Sequence, residues 1–134
     1  MIDGNSSYAE RKEILDYFGE ILIKSVRDNV LEMEMERAQC TSVNSAKQEK
    51  YKRLKNLSNE EKELVCDLLS ETITNTLFGF MNMFERYRDK MELIIKKEGV
   101  RYDIVEISEV TGAELADDSE DGWIQMFSEI GRFI

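Results

Sequence analysis

From Val65 to Ile94 an apolar side chain recurs at every third or fourth position: Val65, Leu69, Ile73, Leu77, Phe80, Phe84, Tyr87, Met91 and Ile94. That spacing follows the 3.6-residue turn of an α-helix, and it predicts one helix of about eight turns. Both ends carry signals. Ser58 stands three residues before Glu61, the pattern in which two side chains reciprocally cap backbone N–H groups. Asn59, Glu60 and Glu61 load the first turn with groups that suit the positive end of the helix dipole. Lys96 and Lys97 fall in the expected last turn, and Gly99 is a natural stop. Gly79 is the weak point, where a bend is expected.

A second stripe lies near the N-terminus. Leu15, Phe18, Leu22, Val26, Val30 and Met33 keep the same spacing, and Ile14, Tyr17 and Ile21 widen it. The helix that carries it is expected from near Ser7 to about Ala38, capped by Ser6 or Ser7 with Glu10 completing the box. Glu20 and Lys24 form a favourable i,i+4 pair on its polar side. Proline, which breaks helix interiors, is absent from all 134 residues. Helices of about 50 Å cannot stand alone, because ordering costs roughly 1–2 kcal/mol per residue while each large buried side chain returns ~1.5–3 kcal/mol. The two stripes are therefore expected to meet, either within the chain or in a second copy. The simplest arrangement is mainly α: a single domain, 1–134, of two long antiparallel helices with the tail packed over them.

The rest of the chain is shorter in its elements. Thr41-Ser42-Val43-Asn44-Ser45 reads as a loop. Lys47, Lys50, Lys52, Arg53 and Lys55 then form a small basic cluster, and Tyr51, Leu54 and Leu57 give it a weak apolar edge, so a short helix is expected between the long ones. After Gly99, the run Tyr102, Ile104, Val105 and Ile107 suggests one small β element near 101–108, although no second strand is obvious. The alternative there is an irregular or helical turn over Ile104–Val110. A final short helix is expected to bury Trp123, Phe127 and Ile130, with Ser119 or Asp121 as its cap.

Composition narrows the chemistry. Histidine is absent, so no imidazole can serve as general base or metal ligand. There is no Ser-His or Cys-His nucleophile and no glycine-rich phosphate loop. Cys40 and Cys66 lack metal or redox spacing and are expected as free thiols in a reducing cytosol. No stretch approaches the ~20 apolar residues of a membrane span, and the first residues lack the layout of a signal peptide. A cytoplasmic protein without cofactor, and not an enzyme, is the expectation. A carboxylate-only metal site on paired helices is the minority alternative, and the Glu-x-x-His of ferritin-like sites is missing. A net charge of −10 argues against direct binding to nucleic acid. It suits docking onto a basic protein surface.

The acidity is polarised. From Asp103 to Asp121 every charged residue is acidic: Asp103, Glu106, Glu109, Glu114, Asp117, Asp118, Glu120 and Asp121. Like charges so close repel one another, which lowers stability unless a partner uses the field. These eight are the candidate partner-binding residues. Asp117, Ser119 and Asp121, with Gly122 and Ile124, match part of a calcium-loop pattern, but Ser128 stands where a bidentate Glu is required. A charged loop leading into the last helix is the preferred reading. Apolar side chains at Leu77, Phe78, Phe80, Met81, Met83 and Phe84 cover most of one helix circumference, so part of that surface is expected to contact the tail, a second subunit or another protein.

The segment EDGWIQMFSEIGRF (120–133), preceded by Leu77-Phe78-Gly79-Phe80, resembles small bacterial or phage proteins of immunity type. Asp121, Gly122, Trp123 and Phe127 carry the resemblance. They are packing and capping residues and bring no functional site with them. The resemblance implies an acidic surface that covers a basic toxin site. The expected function is thus binding and neutralising, or regulating, a protein partner; the alternative is a self-associating helical protein, as a homodimer.

Overall fold

The structure, a computed structural model, describes residues 8–107 and 122–130. It is mainly helical with one small antiparallel hairpin. Helix α1 (Tyr8–Leu22) runs through a π-helical turn (Ile23–Asp28) into α2 (Asn29–Ala38). Two short helices follow, α3 (Val43–Ala46) and α4 (Glu49–Lys55), and then the long α5 (Asn59–Arg86). Strands β1 (Ile94–Lys97) and β2 (Val100–Asp103), a single turn α6 (Ile104–Ile107) and α7 (Trp123–Phe127) complete the fold. Among the described residues no helix is long and apolar enough to cross a membrane.

The two long helical segments lie antiparallel. Met35 and Ala38 share a cavity with Val65 and Cys66, Arg27 bonds Ser70 and Thr74, and Met81 packs among Ile14, Phe18 and Leu22. The caps that were legible in sequence are present: Ser58 Oγ accepts from Glu61 N–H, and the Glu61 carboxylate accepts from Ser58 N–H. Glu20 and Lys24 pair at 2.9 Å. Ser6 and Ser7, the expected first caps, lie outside the described residues, as do Ser119 and Asp121; the cap position of α7 falls instead on Gly122, which has no side chain to cap with. The turn formers at 41–45 do more than make a loop, since Ser42 caps α3 by accepting from Ser45 N–H. Both cysteines are free thiols.

The stripe of the first helix does not stay inside for its whole length. Leu15, Phe18 and Leu22 are buried, but Val26, Val30 and Met33 are 39%, 37% and 44% exposed, while Ile23, Arg27 and Leu31 are at 0%. The π-turn is the cause. A π-turn inserts one residue into the helical repeat, which rotates everything after it by about 100° relative to a straight α-helix. The inward set therefore passes from 15, 18 and 22 to 23, 27 and 31. Facing it, α5 buries Ser70 and Met81 fully, leaves Leu69, Ile73 and Leu77 half-buried, and exposes Phe80. The helices meet as expected, but each is turned so that Ser70 and Arg27, rather than two apolar ridges, share the centre of the contact.

The second long helix also ends earlier than its spacing predicts. It stops at Arg86; Tyr87 leaves helical geometry and its carbonyl accepts from Lys90 and Met91 in a turn. Tyr87 and Met91, read as stripe residues, are 43% and 41% exposed. Ile94–Lys97 instead pairs with Val100–Asp103, with Ile94 opposite Asp103 and Lys97 opposite Val100. This is the partner strand that the sequence did not reveal. Gly99 is a stop for a hairpin rather than a helix. Glu98 and Gly99 form its two-residue turn with φ of 53° and 80°, the left-handed pair that matches the twist of hairpin strands. Gly99→Ala is expected to lower unfolding free energy by about 1–2 kcal/mol, and Glu98→Asn to raise it by a few tenths, both read from urea denaturation. Of the β-branched run, only the part up to Asp103 is strand. Ile104, Val105 and Ile107 form the helical turn that was the alternative, and Ile104 N–H donates to Leu93 at 2.9 Å. Helix α5 runs through Gly79 without interruption.

The core gathers Ile14, Leu15, Phe18, Leu22 and Ile23 from the first helix, Met81 from α5, Ile104 and Ile107 from α6, and Trp123 and Ile124 from α7. Trp123 is fully buried, edge-on to Phe18 with ring centroids 5.7 Å apart. Phe127 is half-buried at the end of α7; Ile130, expected on the same helix, is half-buried in the bend beyond it, because the helix stops at Phe127.

Candidate functional site

The π-turn has two consequences, one inside the protein and one outside. Inside, it carries Arg27 and Asp28 into the interior at 0% and 5% exposure. A buried charge is tolerable only when it is paired and hydrogen-bonded. Arg27 Nη1 donates to Asp28 Oδ1 at 2.9 Å and to Ser128 Oγ at 3.2 Å. Its Nη2 donates to Ser70 Oγ at 3.1 Å and its Nε to Thr74 Oγ1 at 3.4 Å. Asp28 is held as firmly, accepting from Ser128 Oγ and from the Glu129 backbone N–H, both at 2.8 Å. One planar guanidinium thus ties together α5, the π-turn and the end of α7. The network is a clamp across three chain segments, and its neutral sum lets it sit in the interior.

Outside, the same rotation presents Val26, Val30 and Met33 to solvent, and Ile21, just before the turn, is exposed as well. Exposed Glu32 and Glu36 lie beside them on α2. Apolar side chains exposed in a row with carboxylates beside them give this helix an amphipathic outer face. The sequence reading assigned Val26, Val30 and Met33 to the core. Only the repeat change at residues 23–28 could have shown otherwise, and the one visible signal was Arg27, a charge next to an otherwise apolar seam.

The acidic candidates are divided. Asp103 is buried, and its Oδ1 accepts from Val105 N–H at 3.0 Å, capping the α6 turn. Its carboxylate is used locally and does not face outward, contrary to the expectation that it binds a partner. Glu106 is exposed. Glu109, Glu114, Asp117, Asp118, Glu120 and Asp121 lie outside the described residues. Among the described residues no group of three or more His, Cys, Asp or Glu side chains is placed to hold a metal ion.

A cavity of about 360 Å³ opens where the end of α2, α4 and the start of α5 converge. Met35, Ala38, Leu54, Leu57, Val65 and Cys66 supply its apolar wall, and Gln39, Lys55 and Lys62 complete it. Leu54 and Lys55 of the short basic helix that the sequence predicts, with Leu57 just after it, thus form one wall of a pocket, and Tyr51 of the same helix is buried.

One ion pair joins distant parts of the chain at the surface. Lys97 Nζ of β1 lies 2.8 Å from Glu13 Oε1 of α1 and 5.3 Å from the centre of the Tyr17 ring. The hydrogen bond from Lys97, with its charge, holds the Glu13 carboxyl below its ordinary value of 4.5. A carboxyl lowered by folding contributes stability above its unfolded pKa and loses it as pH falls through the folded one. Acidification below about 4.5 is therefore expected to lower the melting temperature, and Glu13→Gln to flatten that part of the pH profile. The pair is solvent-facing, so the effect is small and fades with added salt.

Compared with protein-family models, with curated proteins and with solved structures, the chain shows no match.

Proposed function

We propose that this protein binds and neutralises, or regulates, a protein partner that carries a basic surface, in the manner of immunity or anti-defence proteins. The observation that supports this reading is the exposed ridge Val26, Val30 and Met33, turned outward by the π-turn, with Ile21 exposed just before it, in a chain of net charge −10. Apolar side chains provide the contact that holds a complex, while the surrounding carboxylates steer the encounter and choose the sign of the partner. Glu106 is exposed, and every charged residue from it to Asp121 in the sequence is acidic. Nucleic-acid binding is disfavoured by that acidity, and the partner's basic surface is of the kind that itself holds nucleic acid.

Capture from the source lysate with the native chain and with a Val30→Asp/Met33→Asp variant tests the proposal. A basic protein retained by the native chain, released as salt rises and lost with the variant, is the expected result. Recovery of acidic partners alone, or a complex indifferent both to salt and to the ridge substitutions, counts against it. The second reading, self-association, draws on Leu64, Leu68 and Phe80 of α5, exposed at 60%, 54% and 50%. Light scattering separates the two: a monomer at high concentration removes the homodimer.

A further inference from the structure

We infer that the cavity between α2, α4 and α5 is a binding site for a small amphipathic anion, specifically a free medium-chain alkyl carboxylate. Its volume of about 360 Å³ lies within the range of small-ligand pockets, roughly 300–1,000 Å³. Six of the nine lining residues are apolar or sulfur-bearing, and none is aromatic. Such a wall suits a flexible alkyl chain. Water held there finds few polar partners, so an alkyl chain displaces it favourably.

The charge around the cavity selects the head group. Asp and Glu make up 28 of the 134 residues, yet among the described residues none lines this cavity, whereas two lysines do. Among the described residues neither Lys55 nor Lys62 is paired with a carboxylate. Lysine stems extend an apolar wall while their ammonium heads stay on the water side. That arrangement sets two cations, neither paired with a carboxylate among the described residues, in the lining of a greasy pocket. A carboxylate at the end of an alkyl chain satisfies both parts at once, and an alkylammonium satisfies only one. Of the basic cluster Lys47, Lys50, Lys52, Arg53 and Lys55, only Lys55 lines the cavity, so the pocket's own charge is matched by one carboxylate head group rather than by the many of an anionic membrane surface, which favours the free ligand.

Titration calorimetry of the full chain with octanoate, decanoate and dodecanoate, each below its micelle threshold, tests the assignment. Affinity is expected to rise roughly fourfold per added methylene and to level off once the chain exceeds the cavity. Lys55→Gln/Lys62→Gln is expected to weaken decanoate by roughly three- to tenfold without changing the affinity for decanol. Cys66 supplies an independent readout because it lines the cavity, while Cys40 does not. Bound decanoate is expected to slow alkylation of Cys66 and leave the rate at Cys40 unchanged. Val65→Phe, which fills the cavity, is expected to abolish binding; should it fail to fold, the surface lysine pair still decides. Decylammonium binding as tightly as decanoate, an absence of Cys66 protection, or binding confined to anionic vesicles would each overturn the proposal.

Discussion

Replacing Arg27 with methionine is expected to lower the unfolding free energy by about 3–5 kcal/mol, because it strands a buried carboxylate. Asp28 is 5% exposed and loses the cation 2.9 Å away, and the hydroxyls of Ser70, Thr74 and Ser128 lose a shared donor. For a chain of this length that corresponds to a fall in melting temperature of roughly 10–15 °C. Asp28→Ala is expected to cost a similar amount for the mirror-image reason. The double variant Arg27→Met/Asp28→Leu should recover part of the loss, since removing both charges also removes their desolvation cost. Full additivity of the two single losses in urea denaturation would contradict the network as described.

The second large effect concerns the contact between Trp123 and Gly19. Trp123 is fully buried and lies so close to α1 that a Cβ on Gly19 would stand 2.5 Å from its Cδ2 and Cε2 atoms. A rigid indole on one side and a helix backbone on the other cannot both yield. Gly19→Ala is therefore expected to cost about 1–3 kcal/mol and to push α7 off the core. Trp123 is the sole tryptophan, so its fluorescence reports the event directly: emission should shift to the red while far-ultraviolet dichroism retains the long helices. Trp123→Ala is expected to cost about 3–5 kcal/mol through the cavity it leaves. Trp123→Phe should be much milder. The indole N–H finds no acceptor among the described residues, so its removal offsets part of the lost packing. An unshifted emission spectrum in Gly19→Ala would show that the close approach is not needed.

The two effects share a cause. α7 is held at one end by Trp123 against Gly19 and just beyond its other end by Ser128 and Glu129 against Asp28. The first contact is steric and the second electrostatic. Loss of either is expected to loosen the same segment, so a Gly19→Ala/Asp28→Ala pair should show coupling rather than independence.

What local chemistry dictates was readable in advance. The Ser58–Glu61 box, the Glu20–Lys24 pair, the short helix over the basic cluster and the helical identity of both long segments follow from interactions reaching no further than four residues. The mainly helical class follows from them, because apolar residues at three-and-four spacing have no other way to share a face. The inward position of Trp123 was legible for the same reason.

Three features depended on contacts between distant residues, and periodicity is blind to those. The spacing at Tyr87, Met91 and Ile94 continues a helical stripe, yet Ile94 pairs with Asp103, and cross-strand hydrogen bonds outweigh the weak helical preference of that exposed stretch. Asp103 looked like one more surface carboxylate, and only the turn at Ile104 shows that it is a cap. The π-turn is the most instructive case. A straight helix would bury Val26, Val30 and Met33; the protein buries Arg27 instead, because Ser70 and Thr74 of α5 and Ser128 beyond α7 together complete its hydrogen bonds. Those partners stand 43, 47 and 101 residues away. Local preference can choose a helix, but which of its faces turns inward is settled by whatever the rest of the chain brings to meet it.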